Sequence, residues 1–185
     1  MFDLAIDAPQ NARALVVLIH GHDADKEWGF LPWLAEYFCA AGFAVVRFTY
    51  KEPLEVIDII KHAQSRFRGL PLFLLGHSLG GAIAIIAARE VEDLAGVITF
   101  SAISRDEVLE AARDLSVPLL VIHGMKDASV PAGDARAIAA QVSDTTLMLI
   151  DGASHTYNAI HPLVYVPRAL EYAALVAAQF VAVYS

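Results

Sequence analysis

Short, almost wholly apolar runs alternate along the chain with longer stretches in which apolar residues recur every three or four positions. The runs are Ala14–Ile19 (ALVVLI), Phe43–Tyr50, Leu72–Leu75, Gly96–Phe100, Leu119–Ile122 and Thr146–Ile150. Strands that are apolar on both sides suit a parallel sheet covered on both faces, whereas a half-exposed sheet alternates. The stretches between them, Glu27–Ala41, Pro53–Phe67, Leu79–Glu90, Arg105–Leu115, Ala132–Val142 and Pro167–Val183, have helical spacing, as with Leu31, Leu34, Ala35 and Phe38 in the first. Pro131 and Pro167 stand at predicted helix starts, where a missing N–H costs nothing. This alternation predicts an α/β fold: a mostly parallel sheet of about six or seven strands, helices on both faces and right-handed crossovers. Phe2–Ala8 alternates apolar and polar residues and predicts an antiparallel edge strand.

Composition narrows the class. At 185 residues the chain is expected to form one domain, 1–185, with no repeat or linker. With 57% hydrophobic and 18% charged residues it is a packing sequence and not a disordered one. The net charge is −8 and no cluster of Lys and Arg occurs, which argues against nucleic acid as a partner. No apolar run nears the roughly 18 residues needed to span a bilayer. The longest candidate, Ala169–Val183, is interrupted by Glu171 and Gln179. The single cysteine, Cys39, rules out an intrachain disulfide and reads as a core residue. Met1–Pro9 has no positively charged start, so a cytoplasmic protein is expected, as a monomer or homodimer.

The chemistry lies where apolar runs end. Gly76-His77-Ser78-Leu79-Gly80-Gly81 joins a predicted strand to a predicted helix, the context that gives Gly-x-Ser-x-Gly its meaning. A sharp turn there lifts the Ser78 hydroxyl above the sheet edge, and glycines on either side keep side chains out of crowded backbone. A serine hydroxyl is a weak nucleophile until a base takes its proton, and that base needs a carboxylate to fix its tautomer. Of the seven histidines only His123, His155 and His161 follow Ser78. His155 comes directly after the Thr146–Ile150 strand and is the expected base, with His161 the alternative. His123 reads as a packed residue bonded to its own loop. Asp127, after the Leu119–Ile122 strand, is the expected orienting acid. Asp134 reads as a helix-start residue and Asp151 as a turn residue. The expected oxyanion donors are the N–H groups of Leu79 and of His22, the latter in the loop His20-Gly21-His22 after the first core strand. Trp28, Tyr50, Ile103, Val130 and Tyr157 are candidate substrate-binding residues, as are Phe30 and Trp33, with core packing the equal alternative for each. Arg47, a charge in an apolar strand, calls for a carboxylate partner.

Taken together, His20-Gly21-His22, Gly76–Gly80, Gly124–Pro131 with Asp127, and Gly152–His155 resemble the α/β-hydrolase superfamily. They are most similar to its small lidless carboxylesterases, thioesterases and dienelactone-hydrolase-like proteins. The resemblance implies a hydrolase that cleaves a carboxylic ester or thioester of a small substrate through an acyl-enzyme, and no metal or cofactor is expected, since no set of histidines and carboxylates has a convincing ligand spacing. The segment between Phe100 and Leu119, where caps insert in this superfamily, holds only one predicted helix, so no cap is expected. Ser78 departs from the cysteine that dienelactone hydrolases typically carry at that position. A peptidase, a cofactor-free perhydrolase and a non-catalytic binding protein on the same fold are the alternatives.

Overall fold

The computed structural model describes residues 2–185. Its centre is a seven-stranded sheet in the order β1-β3-β2-β4-β5-β6-β7. The strands are β1 (Leu4–Asp7), β2 (Leu15–Ile19), β3 (Ala44–Phe48), β4 (Leu72–His77), β5 (Leu94–Phe100), β6 (Leu119–Gly124) and β7 (Thr145–Ile150). All pair in parallel except β1, which lies antiparallel along β3 with Leu4 opposite Phe48. The edge strand expected from the Phe2–Ala8 alternation is therefore present.

Side chains along β2 point alternately to two cores. Leu15, Val17 and Ile19 join one, against α2 (Glu55–Arg66), α3 (Leu79–Ala87), α4 (Asp106–Arg113) and α5 (Ala132–Ala139). Ala14, Val16 and Leu18 join the other, against α1 (Leu31–Ala40) and α6 (Arg168–Tyr184). Every residue of β2, β4 and β6 is buried, which is why those runs read as continuously apolar. The outermost strand β7 is only partly covered.

Two boundaries shift in ways that matter for the site. The helix expected from Glu27 starts only at Leu31, because Gly29 takes a positive φ of 57° and breaks the pattern. That leaves Trp28 on a loop. Strand β4 runs two residues past Leu75, so His77 ends the strand and Ser78 follows directly. Cys39 is half-buried on α1 and not a core residue. The connection from β5 to β6 contains only the eight-residue α4, and no cap is inserted there. Among the described residues, no helix is long and apolar enough to cross a membrane.

Candidate active site

Loops after β2, β4, β6 and β7 all leave the same edge of the sheet, the carboxyl ends of parallel strands, where open α/β sheets place their ligands. Strands β2 and β4 are neighbours, so the loop after β2 lies beside Ser78.

Ser78 sits at φ 56°, ψ −119°, backbone that non-glycine residues adopt at a cost of about 1–3 kcal/mol. The surroundings hold it there. Its N–H donates to the Phe100 carbonyl at 2.8 Å, and its carbonyl accepts from the N–H groups of Gly81 (3.0 Å) and Ala82 (3.3 Å). A Cβ on Gly76 would run into the Gly80 carbonyl, and one on Gly80 into the carbonyls of Ile19 and His20. Strand, helix and β2 loop thus approach closer than side chains would permit.

Asp127 is stationed by its own turn. Its Oδ1 accepts from the N–H groups of Ser129 (2.9 Å) and Val130 (2.8 Å), and its side chain has no exposed surface. Burial works to raise its pKa, but the Val130 N–H, the His155 ring and the Ser129 N–H outweigh it, and the carboxyl lies below its ordinary value. Nδ1–H of His155 donates to Asp127 Oδ2 at 2.7 Å. A carboxylate acceptor fixes the proton on Nδ1 and leaves Nε2 as the basic nitrogen. The predicted acid and base are thus brought together. His155 and Ser78 line one cleft, with His22, Trp28, Ser129 and Thr156 on its other sides. Among the described residues no hydrogen bond joins Ser78 Oγ to the His155 ring, and such pairs commonly tighten only once substrate is seated.

The N–H of Leu79 opens α3 and so has no intrahelical acceptor. Among the described residues neither it nor the N–H of His22 donates in a turn, loop or cap. The His22 side chain is 77% exposed, 3.2 Å from Asp23.

The other histidines have structural partners. His123 donates from Nε2 to the Val130 carbonyl at 3.0 Å, as its loop position suggested. Nδ1–H of His20 donates to the Gly21 carbonyl (2.8 Å) while Nε2 accepts from the Tyr50 N–H (3.3 Å). His161, the alternative base, accepts the Gly29 N–H on Nδ1 at 3.0 Å and stacks behind Trp28. His77 escaped the sequence reading. It is buried and stacked on Trp28 with ring centres 5.6 Å apart, and its Nε2–H donates to the His155 carbonyl at 3.0 Å. Burial above all, with the neighbouring His155 ring next, pushes its pKa down to about 4, so it stays neutral at pH 7. Its position directly before Ser78 was the only signal available.

The substrate-binding candidates divide. Trp28 lines the Ser78 cleft. Tyr50 lines a neighbouring cleft, its ring stacked on His20 and its hydroxyl donating to the His20 carbonyl at 3.0 Å. Burial pushes that phenol up to about 12. Tyr157 requires a correction: it is fully buried in the core, its hydroxyl donating to the Ile122 carbonyl at 2.9 Å. It takes a φ of 57°. Val130 is buried, its N–H bonding Asp127, and does not line the cleft, and Ile103 is half-buried and packs against the core. Phe30 is core, and Trp33 packs on the same cluster. Arg47 finds its carboxylates, Glu27 at 2.7 Å and Asp7 at 3.5 Å, and its Nη1 donates to the Lys26 carbonyl.

Comparison with known proteins places the chain in a family. Residues 48–185 match the model of the dienelactone hydrolase family. The fold is similar to that of the Paleococcus ferrophilus monoacylglycerol lipase, with a TM-score of 0.83 and 19% identity over 100% of both chains. It is also similar to a dienelactone hydrolase from Anabaena variabilis, with a TM-score of 0.79 and 23% identity over 98% of this chain and 91% of that one. A stretch of 38 residues is 55% identical to human monoglyceride lipase, covering 19% of this chain and 12% of the human protein. Despite a serine at position 78, the chain belongs to the dienelactone hydrolase family and is an ester-bond hydrolase of the α/β-hydrolase fold.

Proposed function

We propose that the chain is a lidless serine hydrolase that cleaves a carboxylic ester or thioester of a small substrate, with Ser78 as nucleophile, His155 as base and Asp127 as the acid that orients it. The observation that carries this reading is the 2.7 Å bond from His155 Nδ1 to a buried Asp127, made by a histidine that shares a cleft with Ser78.

Ser78 Oγ attacks the carbonyl carbon while His155 Nε2 takes its proton. The carbonyl oxygen becomes an oxyanion and accepts hydrogen bonds from the N–H groups of Leu79 and His22. Collapse breaks the bond to the alcohol or thiol, which leaves with the proton from His155. Water then adds to the acyl-enzyme, His155 taking its proton, and the acid is released as the same proton returns to Ser78. Ester, water, acid and alcohol balance without another reactant. The monoacylglycerol lipase among the structural neighbours and the human monoglyceride lipase are named for glycerol esters, and they support an uncharged ester as substrate.

Turnover of p-nitrophenyl acetate and labelling by a fluorophosphonate probe test the assignment. Wild type is expected to do both, and Ser78→Ala to lose the label and at least about 10³-fold in turnover. Equal rates in the two proteins, or a label mapping elsewhere, would refute it.

A further inference from the structure

His77 takes no part in the bond-making steps above, yet it stands between the two residues that do. It ends β4 directly before Ser78 and is buried. Its Nε2–H donates to the main-chain carbonyl of His155 at 3.0 Å, and among the described residues that carbonyl has no other donor. Nor does any other hydrogen bond among the described residues join His77 or Ser78 to the loop that carries His155. Three rings fix the plane of the His77 imidazole and so aim its N–H. It stacks on Trp28 with centres 5.6 Å apart, meets Phe30 edge-on at 5.1 Å and lies against the His155 ring at 4.8 Å.

Holding a side chain in one place takes two points of attachment. Asp127 grips the His155 imidazole at Nδ1 and sets its tautomer. That grip alone lets the main chain of residue 155 tilt, and the reach of Nε2 toward Ser78 tilts with it. The His77 bond supplies the second point, from the residue covalently next to the nucleophile. Base and nucleophile are then both referred to one rigid strand end. Resting on the serine-hydrolase reading above, we propose that His77 is a positioning residue of the reaction: by donating to the His155 carbonyl it sets the base at working distance from Ser78.

Its neutrality suits that task. Burial above all, with the His155 ring next, keeps the His77 imidazole uncharged at pH 7. A cation there would oppose the imidazolium that His155 becomes on taking the Ser78 proton.

Three variants separate the hydrogen bond from the stacking. Phenylalanine keeps a ring for Trp28 and has no donor. Glutamine carries an amide NH₂ as many bonds from the main chain as Nε2, and has no ring. Asparagine ends one bond short of the carbonyl. With p-nitrophenyl acetate, kcat is expected to fall about 10–100-fold in His77→Phe and His77→Asn while KM stays within about twofold, since a displacement of roughly 1 Å costs up to about 10²-fold. His77→Gln should return kcat to within about fivefold of wild type. Added to Asp127→Asn, where the base is already misoriented, His77→Phe should cost less than about twofold more. Thermal melts confirm that each protein folds, and either donor-less variant carries the test if the other does not. Wild-type kcat in the donor-less variants, a loss in His77→Gln as large as in His77→Phe, a change confined to KM, or an undiminished loss in the Asp127→Asn background would overturn the proposal. Failure of the serine-hydrolase reading itself is recognised separately, by Ser78→Ala turning over acetate at the wild-type rate.

Discussion

Asp127 is a carboxylate kept ionised without any water contact, because two backbone N–H groups and one imidazole N–H meet its two oxygens. In the proposed triad its role is directional. In Asp127→Asn the amide is nearly the same size and can still accept from Ser129 and Val130, but its NH₂ would face His155 Nδ1. That imidazole would then carry its proton on Nε2, the wrong tautomer for a base. We expect kcat to fall by roughly 10³–10⁴-fold with the melting temperature shifted by only a few degrees, measured by esterase assay alongside a circular dichroism melt. That Ser78, Asp127 and His155 lie at one edge of the sheet was legible in the sequence, because each follows an apolar strand closely and strand ends in a parallel sheet share one edge. For Tyr157 and Val130 the sequence left core packing open beside a place in the pocket, and the structure buries both. Sequence gives the distance from a strand end but not the direction of a side chain. His77 was overlooked because its hydrogen-bond partner lies 78 residues away.

At the scale of elements, the site depends on how closely α3 approaches β2 and β4. Gly80 lies against the carbonyls of Ile19 and His20, which belong to strand and loop backbone and cannot rotate away. Gly80→Ala is therefore expected to destabilise by about 3 kcal/mol or more in urea unfolding. Gly133→Ala, in α5, is the contrast. Beyond its own turn of helix no atom lies within 4 Å of its added Cβ, and alanine is the better helix former, so a gain of up to about 1 kcal/mol is expected in the same assay. Element types were readable throughout from periodicity, since β2, β4 and β6 are buried on both faces. The start of α1 was not, because Leu31–Ala40 continues a helical spacing that begins at Glu27, and only backbone geometry at Gly29 shows the break.

For the molecule as a whole, the buried histidines set the response to acid. His77 has a folded pKa of about 4 against an ordinary value of 6.5, so between those limits the unfolded chain binds a proton that the folded chain refuses. Stability then rises with pH across that window by about 1.4 kcal/mol per pH unit for one group, and is lost as pH falls from about 6.5 to about 4. His20, whose pKa burial also lowers, acts in the same direction. Asp127 adds a loss only in stronger acid: its depressed pKa gives stability that is present above 3.8 and disappears as pH falls through the folded value. Urea unfolding between pH 4 and 7.5 should show this slope in wild type, and a slope shallower by about one proton in His77→Phe. An unchanged slope in that variant would place the titrating group elsewhere.

Arg47 links three parts that the sequence keeps far apart: β3, which carries it, the antiparallel strand β1 through Asp7, and the loop before α1 through Glu27 and the Lys26 carbonyl. Lys26 strengthens the same junction by pairing with Asp3 at 2.6 Å. Two residues further along stands Trp28, the aromatic wall of the cleft. The loop that carries Trp28 is thus moored twice, by a guanidinium at the margin of the sheet and by the packing of Trp28 on the hydrophobic interior. Arg47→Met is expected to loosen the first mooring while the second holds, read as faster proteolysis of that loop with little change in the melting temperature.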